Sequence, residues 1–487
     1  MAKSISSLEL PLRSRSADTT LTDWLYAELR AAILDGRLKR GVRLPSTRDF
    51  SLQHGVSRGI AMLVIEQLRD EGYLTSKTGA GTWVNEKLPD DLALSEDVCT
   101  LKQTNHYAPL PITREGLRPF QASDPEVGLF PIDVWSRLTS RQWRNATKSL
   151  LNSGEIAGYA PLRNAIAEYV GTSRGVHCSA SQIVVVTGTQ QALDLIARIL
   201  ITPGDDAWME DPGYFGATRA LRNAGAKIIP VPVDADGMDV AKGRQISPHA
   251  KLAYVTPAHQ FPLGSTMTLE RRIALLRWAS SAKSTIIEDD YDSEFRFTGV
   301  PIPALQGLDE AGSVIFIGGF NKVLFPSLRL GYMVVPDRLM DKVLRLRFET
   351  DLWANTINQA VLAEFITEGH LGRHIRRMRE IYAGRRDALH NSAERYLGDA
   401  LRLSGIHAGL NTAAFYKAPI DSIDLERVAA RQGIDASGLD RYTLRKQKIN
   451  GVLLGFAAFE PRIIDQGMQA LALILETIDR TPFRAES

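Results

Sequence analysis

From about residue 120 onward, short apolar segments alternate with stretches of helical character. Four of these segments, at residues 183–186, 252–255, 285–287 and 314–317, are each followed by a polar or glycine-containing loop. This order of strand, loop and helix is typical of a mixed or parallel α/β sheet. Because such sheets bind ligands at the carboxyl ends of their strands, we expect a binding site in these loops.

Length and composition limit the class of protein. A chain of 487 residues exceeds one hydrophobic core and predicts two to four domains. The first residues lack the apolar run of a secretory signal, and no segment approaches the roughly 20 apolar residues that span a bilayer, so we expect a cytoplasmic protein without membrane contact. Cys99 and Cys178 provide no disulfide framework and no metal-ligand spacing, so no metal site is expected.

The first ninety residues have helical periodicity. Apolar residues recur every four positions in two series, Leu25, Leu29, Ile33 and Ile60, Val64, Leu68. Helix-ending or turn glycines follow (Gly36, Gly55 and Gly72), and Ser46 and Ser57 are candidate N-caps. Two helices joined by a short turn form a helix-turn-helix, whose second helix enters the major groove of DNA. Residues 73–84 predict a glycine-tipped hairpin, or wing.

A cluster of positive charge lies in the same region. It consists of six basic residues with a single acid, Asp49, between them: Arg37, Lys39, Arg40, Arg43, Arg48 and Arg58. Alone, such a cluster is equally consistent with a solvated charged face. Next to a helix-turn-helix, it indicates neutralisation of DNA phosphates.

Residues 21–84 resemble the GntR-type winged helix, through the ordered motifs LPSTRD, GVSR, EGYL and GTWV. The resemblance implies that Arg48 and Arg58 contact phosphates or base edges, and that the helix-capping Ser46 and Ser57 belong to the same DNA-binding set. It also implies that the wing near Lys77 and Gly79 reaches the minor groove. Arginine suits this role because its planar fork binds phosphate or guanine through two hydrogen bonds. Gly59 and Met62 occupy positions that are often polar in relatives, so the operator cannot be inferred.

The motifs after the four apolar segments resemble those of aminotransferases of pyridoxal-phosphate (PLP) fold type I. They are TGTQQ, PAHQFPLG, EDDYD and GGFNKVLFPSLR, with EDPGY between the first two. With the winged helix in front, nearly the whole chain resembles MocR-type regulators, a subfamily of the GntR group. The resemblance implies a multidomain chain: a mostly α winged helix-turn-helix, an α/β body of fold type I, and a smaller C-terminal α+β domain.

We therefore predict four segments. Residues 1–86 form the DNA-binding domain with its core at 21–84, and residues 87–118 form a polar, proline-containing linker. Residues 119–385 form the large PLP-binding domain, and residues 386–487 form the small domain.

The resemblance also implies roles for individual residues around PLP. Lys322 would form a Schiff base with the cofactor aldehyde. Arg329 would bind the phosphate, together with the turn formed by Gly188, Thr189 and Gln190 at a helix N-terminus. Asp289 would pair with the pyridine nitrogen, Tyr291 would bond the ring hydroxyl, and Tyr214 would stack on the ring. His259 belongs to an HQFP sequence that is typical of MocR regulators.

Several positions depart from the aminotransferase pattern. Gly319 replaces a hydroxyl residue that commonly contacts the phosphate, and Asn321 replaces a common serine. The PAHQFPLG loop has no asparagine in the register that faces the cofactor hydroxyl. Leu453 occupies the position of the arginine that binds the substrate carboxylate, and Arg445 and Arg462 lie near it but out of register. These departures argue against an ordinary α-amino acid as the effector.

Three hypotheses follow. The first is a dimeric transcriptional regulator that binds operator DNA and uses Lys322-bound PLP to sense an amine, an amino-acid-like compound or PLP itself, without being an enzyme. The second is a working aminotransferase with a DNA-binding tether. The third is a winged-helix protein whose body is only a dimerisation scaffold, which the intact lysine, aspartate and arginine set disfavours.

Overall fold

The computed structural model describes residues 19–77, 81–89, 117–152, 154–299, 303–417, 420–445 and 448–480. The chain divides into two compact units, a head at Met1–Thr113 and a body at Arg114–Ser487. Most of the predicted linker, residues 90–116, lies outside the described residues. Across the part of the chain that the structure describes, every helix is too short or too polar to cross a membrane.

The head contains the three predicted helices, α1 (Leu21–Leu34), α2 (Thr47–His54) and α3 (Arg58–Asp70). Ser46 and Ser57 are the N-caps of α2 and α3, because their hydroxyl oxygens accept hydrogen bonds from Asp49 N and Ile60 N, both at 3.2 Å. The predicted turn glycines all have positive φ, with values of 78° at Gly36, 65° at Gly55 and 87° at Gly72. The N-cap serines and the positive-φ glycines therefore determine where the helices of the head begin and end.

The wing is an antiparallel pair, β1 (Leu74–Lys77) and β2 (Gly81–Val84). The core of the head includes the predicted Leu25, Leu29 and Val64, each fully buried. Leu88 is 3% exposed and packs in the same core. The head therefore continues past residue 86, because a buried leucine holds the chain after the wing.

The body contains twelve helices and twelve strands within the described residues. The helices are α4 (Ile132–Arg144), α5 (Lys148–Leu151), α6 (Ala160–Arg174), α7 (Thr189–Leu200), α8 (Phe215–Asn223), α9 (Val240–Ile246), α10 (Leu269–Ala282), α11 (Asp337–Thr350), α12 (Thr356–Thr367), α13 (His370–Tyr396), α14 (Ser422–Arg431) and α15 (Pro461–Arg480). The strands are β3 (Ile183–Val186), β4 (Asp206–Asp211), β5 (Lys227–Asp234), β6 (Gly237–Met238), β7 (Leu252–Val255), β8 (Thr285–Asp290), β9 (Val314–Gly319), β10 (Gly331–Val334), β11 (Leu401–Leu403), β12 (Asn411–Tyr416), β13 (Ser437–Gly438) and β14 (Gly451–Gly455).

The large domain is built on an eight-stranded sheet of order β3-β10-β9-β8-β7-β4-β5-β6. Strands β9, β8, β7, β4 and β5 run parallel, whereas β10 is antiparallel to both of its neighbours. Strands β3, β7, β8 and β10 are buried along their whole length because helices cover both faces of the sheet. This confirms the predicted mixed α/β sheet.

Two strands are longer than their apolar segments predicted. Strand β8 extends through the acidic residues to Asp290, and β9 extends to Gly319. The acids can remain in a buried strand because each has a polar partner. Glu288 accepts from Leu305 N and Gln306 N, and Asp290 pairs with Arg174 at 2.6 Å.

The small domain is an antiparallel sheet of order β11-β12-β14-β13, packed against α13 and α14. Helix α13 has 27 residues and crosses the predicted boundary at residue 385 without interruption. The fold class predicted from the sequence is thus confirmed, with one continuous helix running from the large domain into the small one.

Candidate functional site

The loops after β3, β8 and β9 enclose one divided cavity. One part has a volume of about 220 Å³ and the other about 200 Å³, and both are lined by Thr189, Tyr214, Tyr291 and Lys322. Gly188, Gln190 and Arg329 line the first part, and Asp289 lines the second. Eight of the nine predicted cofactor residues therefore surround a single space. The ninth, His259, lies behind Tyr291.

Lys322 lies three residues beyond the end of β9. Its Nζ donates a hydrogen bond to the backbone carbonyl of Ser123 at 2.5 Å. Burial lowers the pKa of this amine, although the nearby Asp124, Asp292 and Asp289 oppose the shift. A lowered pKa favours the neutral, nucleophilic form of the amine.

Asp289 projects from β8 and is 4% exposed. Its Oδ2 accepts a hydrogen bond from the Tyr254 hydroxyl at 2.7 Å, whereas its Oδ1 has no hydrogen-bond partner among the described residues. Burial raises the pKa of the carboxyl to about 7, while the Tyr254 hydrogen bond and Lys322 counteract part of that effect. A buried carboxylate oxygen without a partner, facing a cavity, fits a protonated ring nitrogen.

Two tyrosines flank the cavity. Tyr214 can occupy its position because residue 216 is glycine: a Cβ there would lie 2.3 Å from the Tyr214 ring. The Tyr291 hydroxyl lies 3.0 Å from Nδ1 of His259, which in turn lies 2.9 Å from Oδ1 of Asp292. His259 therefore positions Tyr291 from outside the cavity, and the chain of contacts ends at Asp292, which is 1% exposed.

The remaining end of the cavity is suited to an anion. Gly188 is the N-cap of α7 with a φ of 144°, so the first turn of the helix presents its backbone N–H groups to the cavity. Arg329, in the left-handed conformation at φ 52°, lines the same space, and no carboxylate pairs with it among the described residues. A Cβ at Gly319 would meet nothing within 4 Å, so the position where the aminotransferase pattern has a hydroxyl residue has room for a side chain.

An apolar cluster of the small domain reaches the cavity through Phe261. Leu453 in β14 packs with Ala413 and Leu439, in contact with partly buried residues that include Phe261 and Ala122. Phe261 also lines the cavity. Arg445 pairs with Asp211 at 2.6 Å. Of the two arginines near the register of Leu453, Arg445 is therefore already bound within the protein.

In the second part of the cavity, the sequence prediction missed four lining residues, Ser123, Tyr254, Thr256 and Phe261. Tyr254 had one available signal, since it is a hydroxyl-bearing residue in a short buried strand next to the strand of Asp289. Ser123 had none, because it contributes a backbone carbonyl from a segment about 200 residues away from the lysine.

The head presents its own candidate interface. Arg48 and Arg58 are exposed at the start of α2 and α3, and neither has an ion-pair partner in the described residues. Three of the six clustered cations have other contacts: Arg37 pairs with Asp35 at 2.8 Å, Arg40 donates to Glu86 O, and Arg43 stacks on Trp83 of the wing. Lys77 ends β1, whereas Gly79 lies outside the described residues.

Two protein families match the chain. The family "Bacterial regulatory proteins, gntR family" matches residues 21–84, and "Aminotransferase class I and II" matches residues 122–416. The "Probable rhizopine catabolism regulatory protein MocR" of Rhizobium meliloti is 39% identical, with 94% of each chain covered. The chain belongs to the MocR-type regulators of the GntR superfamily. The pyridoxine biosynthesis regulator PdxR of Corynebacterium glutamicum is 30% identical, with 91% of this chain and 93% of the relative covered.

Solved structures similar to this MocR-type regulator are aminotransferases. A kynurenine aminotransferase of Pyrococcus horikoshii, in complex with PMP, has a TM-score of 0.69 and 27% identity over 74% of this chain and 91% of its own. The α-aminoadipate aminotransferase LysN of Thermus thermophilus, complexed with N-(5'-phosphopyridoxyl)-L-leucine, has a TM-score of 0.69 and 26% identity over 75% and 93%. The cofactor of this MocR-type regulator is pyridoxal phosphate, and the anion-binding end, the unpartnered Asp289 oxygen and the amine of Lys322 fit its phosphate, ring nitrogen and aldehyde.

Proposed function

We propose that this transcriptional regulator holds PLP as a Schiff base on Lys322 and responds to an amine, or to PLP itself, by changing how its domains bind operator DNA. The supporting observation is that a buried, low-pKa amine, an unpartnered carboxylate oxygen and a helix N-terminus with a free arginine surround one cavity. When bound, PLP supplies an aldehyde that condenses with amines.

Each residue has a proposed role. Lys322 binds the aldehyde carbon, Asp289 keeps the ring nitrogen protonated, and Tyr214 stacks on the ring. Tyr291, positioned by His259, donates to the ring hydroxyl. The first turn of α7 (Gly188, Thr189 and Gln190) and Arg329 bind the phosphate.

The effector class follows from the absence of an arginine at position 453 and from two relatives. Leu453 is buried in the apolar cluster against which Phe261 packs, and Phe261 lines the cavity, so neither offers a charge to a carboxylate, which favours amines without one in that position. The relatives are named for rhizopine catabolism and pyridoxine biosynthesis, so rhizopine and PLP itself belong in the panel of candidates.

A second candidate is a working aminotransferase, which the complete lysine, aspartate and arginine set supports. The leucine at position 453 opposes it, because a substrate carboxylate would lack the arginine partner that aminotransferases place there. We also propose a homodimer that binds paired half-sites in the cytoplasm, where operator DNA is accessible.

One absorption experiment separates these functions. Purified protein is loaded with PLP and scanned before and after each amine of the panel, beside Lys322→Ala. A visible band that requires Lys322 and is shifted by one amine, without build-up of the pyridoxamine form of the cofactor, supports the sensor. Accumulation of the pyridoxamine form would favour the enzyme, and a wild-type protein with no band would refute the covalent link.

A further inference from the structure

Residues 117–126, which we call the strap, tie the small domain to the cofactor cavity. At one end, Pro119 O accepts from Asp435 N at 2.9 Å, and Phe120 O accepts from Gly455 N at 2.8 Å. The contact is so close that a Cβ at Gly455 would lie 1.9 Å from Gln121 O. At the other end, Glu126 N donates to the Tyr382 hydroxyl on α13 at 2.9 Å.

The middle of the strap is strained and is held by the lysine. Phe120 and Ser123 have φ values of 68° and 69°, in a region that residues with a Cβ rarely adopt. The carbonyl oxygen of Ser123 accepts the hydrogen bond from Lys322 Nζ, and its hydroxyl donates to Asn411 Oδ1 at 3.2 Å. Strained backbone persists only where its surroundings fix it, so the Lys322 contact contributes to holding the strap in this conformation.

The same amine would form the link to PLP. In that step the Nζ of neutral Lys322 adds to the aldehyde carbon, a C=N double bond forms, and the aldehyde oxygen leaves as water with both amine hydrogens. The nitrogen then carries no hydrogen, or one if it is protonated, and the double bond fixes its direction towards the cofactor. It can therefore no longer donate to the carbonyl oxygen of Ser123 the hydrogen bond that the free amine donates.

We propose that the strap detects the chemical state of Lys322: it is held when the amine is free and loosened when the amine is bound to PLP. This rests on the covalent link of the proposed function. An effector amine that takes PLP from Lys322 would return the free amine to Ser123 O and tighten the strap again. The polypeptide leaves the strap towards the head at residue 117. The point at which the body is joined to the head therefore changes with the state of Lys322.

Hydrogen exchange measured by mass spectrometry on the full chain tests this directly. The reporters are the backbone amides that bind the strap or lie in it: Gln121, Glu126, Asp435 and Gly455. We expect PLP to accelerate their exchange by about fivefold, the effect of one lost hydrogen bond, and not to accelerate exchange in the core strand β3. Hydroxylamine, which takes the cofactor as an oxime and frees the lysine, should restore slow exchange.

Two variants separate the strap contact from the covalent link. Lys322→Ala has no donor, so its strap should exchange fast without PLP and ignore PLP. Lys322→Arg keeps a donor but cannot form the link, so its strap should stay slow in both conditions.

The two proposals fail in different ways. A wild-type visible band with unchanged or slower strap exchange would overturn the strap proposal alone, as would slow exchange in Lys322→Ala. The absence of the band in the wild-type protein would overturn the proposed function and, with it, the switch.

Discussion

At the scale of residues, the site depends on groups whose burial would be costly without the cofactor. The carboxyl of Asp289 illustrates this, since burial raises its pKa to about 7. Burial also raises the pKa of the nearby Glu210 carboxyl to about 7, and the two carboxylates repel each other when both are ionised. A binding site for a cationic ring nitrogen therefore lowers the stability of the protein that surrounds it.

We predict that Asp289→Asn stabilises the cofactor-free body as the pH rises. The folded pKa of this acid lies above its unfolded value of 3.8, so ionising the wild-type side chain costs folding free energy from about pH 4 up to about pH 7. The free energy of unfolding that the asparagine variant gains over the wild type should grow across that pH range and level off above it. It should reach about 2–4 kcal/mol at pH 8. Urea denaturation at pH 5 and pH 8 measures it. An equal advantage at both values would contradict the assignment.

The same variant should bind PLP more weakly, because asparagine cannot ionise to pair with a protonated ring nitrogen. We expect a loss of at least about tenfold in affinity. Titration of PLP, followed by absorption, measures it. Tyr254→Phe is the matched control, because it removes only the hydrogen bond to Asp289 Oδ2 and should cost less.

We predict that Gly319→Ser tightens PLP binding by about three- to tenfold, through one added hydrogen bond to the phosphate. The position has open space for a Cβ and lies in the cavity with Arg329. Gly319→Ala is the control and should leave affinity unchanged. A serine variant that binds no better than the alanine variant would show that the phosphate is bound elsewhere.

At the scale of elements, capping residues and turn glycines explain why the head was predictable. Its signals are local: the serine at each N-cap, the glycine at each positive φ and the four-residue apolar spacing all act within a few residues. The body was predictable in its strands but not in the end of β8, because sequence alone does not show which distant groups neutralise the acids of a buried strand. Ser123 could not be found for the same reason, since only tertiary structure brings it to Lys322.

We predict that Arg48→Gln and Arg58→Gln each weaken DNA binding and reduce the slope of log affinity against log salt by about 1. Both guanidinium groups are exposed at helix starts without an acidic partner in the described residues. Arg37→Gln should change the slope less, because Arg37 is paired with Asp35. Fluorescence anisotropy with the regulator's own promoter DNA, across a salt series, measures the slopes. Equal slopes for all three variants would remove Arg48 and Arg58 from the interface.

At the scale of the molecule, the head and the body have separate hydrophobic cores. A ligand that binds one folded unit stabilises that unit alone. We therefore predict that PLP raises the unfolding temperature of the body and leaves that of the head unchanged. Differential scanning calorimetry of the full chain, with Lys322→Ala as the control, measures both transitions. A parallel rise of both would show that the units unfold as one.

Helix α13 has a mechanical consequence. His374, in its second turn, contacts the carbonyl of Val323 beside the lysine, and Ser392, near its far end, donates to Asp465 on α15. A helix of this length is about 40 Å long, so a tilt of about 5° at one end would displace the other by about 3.5 Å. If the helix tilts as a rigid rod, a sub-ångström adjustment beside Lys322 would displace its far end, and the contact with Asp465, by several ångströms.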